Sequence, residues 1–228
     1  MLIGILQTGR APDALQPVHG DYPDLFIRLL AKYGFDFKIF EVLEGELPAD
    51  PAVCDGWLIT GSRFGAYEDH LWIPPLEAFI RAVRAADVPM VGICFGHQII
   101  AQALGGKVEK YAGGWSVGPT EYQWGDQTIR LNAWHQDQVT VVPDGAQVCA
   151  TNGFCGNAAL MYGNTIFTVQ AHPEFSRDFA GDIIEKRGRG LIDDTLLDAA
   201  NARLDLPLDD QRLAAGIAQF FKTREIAL

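Results

Sequence analysis

The chain reads Gly92-Ile93-Cys94-Phe95-Gly96 between an apolar stretch, Val88-Pro89-Met90-Val91, and a helical one beginning His97-Gln98-Ile99-Ile100. Strand, tight turn and helix follow in that order. Glycine on both sides lets the backbone turn sharply and pack closely, which pushes Cys94 out at the tip in a strained conformation. A thiol held there faces the free amides of a helix N-terminus, whose partial positive charge favours thiolate over thiol. The segment reads as a nucleophile elbow with cysteine in place of serine. The competing reading is a buried cysteine packed as a small hydrophobe.

A cysteine nucleophile needs a base, and the base needs a group that orients it. Among the five histidines, His172 has the most suitable setting, in Val169-Gln170-Ala171-His172-Pro173-Glu174 just past an apolar strand. Pro173 biases His172 toward an extended backbone. Residues i and i+2 of an extended segment share a side, so Glu174 can reach the His172 ring, fix its tautomer and stabilise the imidazolium. Cys94, His172 and Glu174 are then expected at strand ends on one rim of one sheet. A metal site is a rival, since His135, Asp137, His172 and Glu174 offer four ligands in two spaced pairs. It leaves the elbow unexplained, and no metal or cofactor is expected. An α/β-hydrolase with a cysteine elbow is a further reading. There the acid precedes the histidine along the chain, whereas Glu174 follows His172.

The surrounding pattern supplies the positioning elements. Leu2–Gln7 is a continuous apolar strand. Tyr22, Leu25, Phe26, Leu29, Leu30 and Tyr33 recur at helical spacing, with Asp21 as N-cap and Gly34 as the stop. Residues 35–42 and 55–60 are further strands, the second ending at Gly61. Trp72, Leu76, Phe79, Ile80 and Val83 mark another amphipathic helix, and residues 90–93 form the strand feeding the elbow. Apolar strands alternating with helices imply an α/β fold, a mainly parallel sheet with helices on both faces. Such sheets bind ligands at the carboxyl ends of their strands, where Cys94 falls. After Gly105-Gly106 the pattern changes to short stretches at 107–111, 120–124, 128–131, 138–142, 147–151, 158–162 and 166–170, separated by Pro, Gly, Asp and Asn. These read as an antiparallel hairpin extension. From about residue 176 the chain is helical again, ending in a helix with Leu213, Ile217, Phe220 and Phe221 on its core face. No linker interrupts it, so residues 1–228 read as one domain with a helical C-terminal extension.

Bulk properties fit this reading. The 228 residues, 48% hydrophobic and 21% charged, are ordinary for a globular chain able to bury a large core. A net charge of -11 opposes non-specific binding to nucleic acid or anionic membranes. The four cysteines, Cys54, Cys94, Cys149 and Cys155, form no C-x-x-C pair, so reduced thiols and a cytoplasmic location are expected. Residues 1–7 lack a basic region and a cleavage site and read as a first strand, not a signal peptide. No apolar run approaches the ~20 residues that span a bilayer.

In combination these motifs resemble the class I (triad) glutamine amidotransferases, closest to free-standing relatives of the GMP synthetase glutaminase domain. The likeness rests on Gly92-Ile93-Cys94-Phe95-Gly96-His97-Gln98 with His172-Pro173-Glu174, and on Trp57-Leu58-Ile59-Thr60-Gly61-Ser62, Leu104-Gly105-Gly106-Lys107-Val108, Gly114-Trp115-Ser116-Val117-Gly118 and Trp134-His135-Gln136-Asp137. It covers residues 2–176. The resemblance implies a flavodoxin-like fold and attack by Cys94 on the γ-amide carbon of glutamine or another γ-glutamyl small molecule. It implies an oxyanion hole from the Phe95 amide and the Gly61-Ser62 peptide, with Gln98 and the Trp134-His135 backbone holding the amino-acid head. The chain departs from the family in reading Gly61-Ser62-Arg63 where these amidotransferases usually have Gly-Gly-Pro. Serine is costly there if a positive φ is required, and a peptide flip or a partner would then be needed for activity. No glycine-rich ATP loop is present, so ammonia would pass to a synthetase on another polypeptide. The alternatives are a γ-glutamyl peptidase acting alone and a non-catalytic regulatory module on the same fold.

Overall fold

The computed structural model describes residues 1–227. Five strands form its parallel core: β1 (Leu2–Gln7), β2 (Asp36–Glu41), β3 (Gly56–Ile59), β4 (Met90–Ile93) and, from late in the chain, β11 (Ile166–Val169). They lie in the order β2-β1-β3-β4-β11, all parallel. The sheet continues through β10 (Ala159–Tyr162), β9 (Ala146–Thr151), β6 (Ser116–Trp124) and β7 (Gln127–His135), all antiparallel, to nine strands in total. A separate two-stranded ribbon pairs β5 (Lys107–Lys110) with β8 (Asp137–Val141).

Every residue of β3 and β4 is buried, as continuous apolar runs covered on both faces should be. Alternate side chains serve opposite layers. Ile3, Ile5, Leu58 and Val91 pack against Phe26 and Leu30 of α2 (Tyr22–Leu30) and Ile217 and Phe220 of α7 (Asp210–Thr223). Leu6, Trp57, Ile59 and Met90 face Leu76 and Ile80 of α3 (Ile73–Ala85) and Ile99 and Ile100 of α4 (Phe95–Ala103). The start of α2 is fixed by a capping box between Asp21 and Asp24. The chain enters it from the one-turn helix α1 (Gln16–His19). Past residue 176 come α5 (Arg177–Ile183), a π-helical turn at Ile184–Gly188, α6 (Asp194–Asn201) and α7.

Two sequence expectations need correction. The stretch 166–170 is not simply hairpin material. Its strand β11 pairs antiparallel with β10 on one side and parallel with β4 on the other. Its four residues are all buried, but an apolar run that short carries no mark of which strand will lie beside it. The stretches expected at 120–124 and 128–131 are the middle of two nine-residue strands. Pro119 is tolerated inside β6 because β9 pairs β6 only at Gln123 and Trp124, which leaves the edge at Pro119 unpaired on that side. The longer β7 carries Trp134 and His135 at its end.

Candidate active site

The site is built where β4 and β11 end side by side. Val169 lies opposite Ile93, and the Cys94 amide donates to the Val169 carbonyl at 2.9 Å. Cys94 is thus the first residue beyond β4, and His172 the third beyond β11. The His172 amide donates to Asn132 O at 2.8 Å, which ties this segment to β7.

Cys94 has φ 52° and ψ −99°, one of three positive-φ positions outside glycine among the described residues. Such a conformation costs of order 1–3 kcal/mol and persists only where its surroundings enforce it. Flanking glycines do so here. A Cβ on Gly92 would stand 2.6 Å from the Gly96 backbone, and one on Gly96 would stand 2.5 Å from Ile59 O. Only glycine lets α4 return this closely over the sheet. Phe95 and Gly96 then open α4, so their amides belong to the unsatisfied first turn of a helix.

The His172 ring is held on two sides. Its Nδ1 lies 2.7 Å from Glu174 Oε1, with both side chains almost fully buried. Its face stacks on Phe175 at 4.0 Å and 13°, a contact worth about 0.5–1.5 kcal/mol beyond area burial. Phe175 in turn packs against Phe179 of α5 at 4.5 Å. Nε2 is buried with no nitrogen or oxygen partner among the described residues, and Cys94 acts on the same ring. Burial alone would lower the His172 pKa, but the Glu174 carboxylate and then the neighbouring Cys94 side chain outweigh it and raise the value to about 10. The sulfur also meets Gln170, whose Nε2 donates to Sγ at 3.6 Å. The Gln170 Oε1 accepts from Gln98 Nε2 at 3.2 Å, and that same nitrogen donates to Asp137 O at 2.9 Å.

The histidines nearest this group are spoken for. His97 is fully buried with Nδ1 2.8 Å from Thr168 Oγ1, and burial pushes its pKa down to about 3. His135, buried at the end of β7, is lowered to about 4, mainly by burial. Both rings are neutral at pH 7. No three His, Cys, Asp or Glu side chains among the described residues are arranged to hold a metal. The four ligands considered from sequence therefore do not converge: His172 and Glu174 are engaged with each other, and His135 with the Asp137 carbonyl.

Gly61 and Ser62 border the same groups. A Cβ on Gly61 would lie 3.0 Å from His172 Cε1 and 3.8 Å from Cys94 Cβ. The Gly61 carbonyl accepts from Thr60 Oγ1 at 3.1 Å and Thr8 Oγ1 at 3.5 Å. In a trans peptide the next N–H points the opposite way, so Ser62 N–H is turned away from those threonines. Ser62 has no positive φ, so the serine penalty expected from sequence does not arise. Gly61→Ala should keep the fold, because its φ is ordinary and no backbone atom stands in the way. The His172 ring, pinned by Phe175 and Glu174, cannot yield the missing few tenths of an ångström. A fall in kcat/KM on the order of 10² is expected with little change in melting temperature, and wild-type rates in the variant would show that the ring moves freely.

A cavity of about 160 Å³ opens over these side chains, and Cys94, Ser62, Gln98, Trp134, His135 and His172 all line it. Sequence reasoning misses several of its other walls. Asp137 enters that reasoning as a metal ligand and as the last residue of a family motif, without a binding role, and Tyr22 only as a helix residue. Arg187 lies in a segment without any motif, and nothing in the local pattern marks it.

A model of the family "Glutamine amidotransferase class-I" matches residues 20–187. The chain belongs to the class-I glutamine amidotransferase family. The chain is 28% identical over 228 residues to Gamma-glutamyl peptidase 4 of Arabidopsis thaliana, covering 92% of this chain and 90% of that one. It is 30% identical over 178 residues to a glutamine-hydrolyzing GMP synthase subunit of Halobacterium salinarum, covering 73% of this chain and 90% of the relative. In fold it is similar to a glutamine amido transferase from Methylobacillus flagellatus, with a TM-score of 0.78 at 20% identity over 100% of this chain and 96% of that one. The family match stops at residue 187, so α6 and α7 lie beyond it. All four cysteines are free thiols, and no described helix is long and apolar enough to cross a membrane.

Proposed function

We propose that this amidotransferase hydrolyses the γ-amide of glutamine or of another γ-glutamyl compound through Cys94, His172 and Glu174. The observation that carries the proposal is the His172 ring, fixed by Glu174 on Nδ1 at 2.7 Å and acted on by the strained Cys94. Sulfur attacks the γ-carbonyl carbon, and the amide C–N bond breaks as the C–S bond of a γ-glutamyl thioester forms. The proton held on His172 passes to the leaving nitrogen, which departs as ammonia or an amine. Water, deprotonated by the now neutral ring, adds to the thioester carbon. Glutamate leaves, and the thiolate–imidazolium pair is restored. The amides of Phe95 and Ser62 are the two donors aimed at the developing oxyanion. Gln98, Trp134, His135 and Asp137 line the cavity, and they hold the amino-acid head of the substrate.

The chain's similarity to the plant γ-glutamyl peptidase over nearly its full length supports action on its own. Similarity to the glutamine-hydrolyzing subunit of a GMP synthase supports a second reading, in which ammonia passes to a separate synthetase. One experiment tests both. The isolated protein is incubated with glutamine and with γ-glutamyl dipeptides, free glutamate and amine are measured, and acid-quenched protein is examined for a γ-glutamyl adduct on the Cys94 peptide. Turnover with an adduct on Cys94 is expected. Turnover with the adduct elsewhere, or no turnover of any γ-glutamyl amide, overturns the proposal.

A further inference from the structure

The active-site cavity is continuous in its walls with a second, wider cleft. Arg63, Phe64 and Arg187 line both. The outer cleft has a volume of about 690 Å³, against about 160 Å³ inside. Its wall carries four cations, Arg10, Arg63, Lys186 and Arg187, against two acids, Asp13 and Glu44. Arg10 is already neutralised by Glu41 at 2.7 Å and Glu44 at 3.0 Å. Arg63, Lys186 and Arg187 form no ion pair among the described residues, whereas Arg189, close by in sequence, is engaged by three acids. In a chain of net charge -11 this is a local reversal of sign at the mouth of the site.

Arg187 is the most committed of the three. It is only partly exposed and sits in the π-helical turn Ile184–Gly188, a geometry that re-aims side chains and recurs at functional sites. It lies close enough to the buried Tyr22 phenol to oppose the effect of burial on that group, and Tyr22 also feels Cys94 and Glu174. A guanidinium in that position, with no ion-pair partner among the described residues, is set up for an external anion.

We propose that the leaving side of the substrate carries a carboxylate, and that Arg187, with Arg63 and Lys186 further out, recognises it: the preferred substrates are γ-glutamyl peptides with a free C-terminus rather than glutamine. This rests on the reading of the site as a γ-glutamyl amide hydrolase. The glutamyl head fills the inner cavity, the scissile nitrogen stands at its mouth, and the amino acid beyond it extends into the cationic cleft. Glutamine, whose leaving group is ammonia, makes none of these contacts.

The test compares γ-glutamyl dipeptides and tripeptides with their C-terminal carboxamides, at low and high salt. The wild type should favour the free acids in kcat/KM by about tenfold or more, as expected for a charge-assisted hydrogen bond worth about 1.5–3 kcal/mol. Salt should compress that ratio. Arg187→Ala should bring it close to one, and Arg187→Lys should retain part of it. A wild-type ratio of one with turnover intact, or a ratio that Arg187→Ala leaves unchanged, overturns the inference and leaves the hydrolase reading standing. Failure to cleave either acid or carboxamide overturns both.

Discussion

Cys94→Ala is expected to lower kcat by about 10⁵–10⁶-fold while leaving the protein folded. Groups that act as one unit lose nearly the whole of their joint contribution when the nucleophile goes. The structural cost is small. The contacts to sulfur are long, 3.6 Å from Gln170 and 4.0 Å to the Trp134 carbonyl, and alanine keeps the Cβ at the same φ of 52°. Backbone strain is therefore equal in the two proteins. It is not equal in Cys94→Gly, where a positive φ is free. That variant should be as inactive as alanine yet melt a few degrees higher than it, since relieved strain of about 1 kcal/mol moves the midpoint of a domain this size by about 2–4 °C. Rate assays with a γ-glutamyl dipeptide and thermal melts of the three proteins check this. Residual turnover near wild type in Cys94→Ala removes the sulfur from the mechanism. A glycine variant that melts below alanine removes the strain argument.

The elbow and the His-Pro-Glu segment are legible in sequence because each is a local grammar. Gly92 and Gly96 are required by contacts under 3 Å to Gly96 and Ile59, and a proline fixes the backbone before Glu174. The juxtaposition of the two segments is legible as well, since both end strands at one rim. The route to it is not. β11 reads as one more short stretch among hairpins, and only the complete sheet puts it against β4. Trp134 and His135 are named in sequence by resemblance, whereas their placement follows from the nine-residue β7 continuing three residues beyond Asn132, which lies opposite the tolerated Pro119. Phe175, which stacks on the His172 ring, carries no mark in the sequence pattern. Arg187 is the clearest case of illegibility. Its meaning comes from the lack of an ion-pair partner among the described residues, and such a lack leaves no trace in a string of residues.

Glu174→Gln is the sharper probe of electrostatics because it changes charge and little else. The amide keeps the size of the carboxylate, and its oxygen can still accept from Nδ1. In wild type the carboxylate is the largest influence that opposes burial at His172 and brings it from an ordinary 6.5 up to about 10. Without that charge, burial gains the upper hand and the ring gives up its proton at lower pH. The leaving nitrogen needs that proton. Wild-type kcat should therefore persist through mildly alkaline pH and fall only as pH approaches about 10, and the falling limb should move to lower pH in the variant. At neutral pH the loss in kcat should be on the order of 10⁴, the size seen when the orienting acid of a triad is neutralised. Stability follows the same sign. A raised histidine pKa contributes stability in full below 6.5, and that contribution is lost as pH climbs through about 10. Melting temperature of the wild type should drop across that window more than that of Glu174→Gln. An alkaline limb that stays in place in the variant would mean that the carboxylate positions the ring without holding its charge.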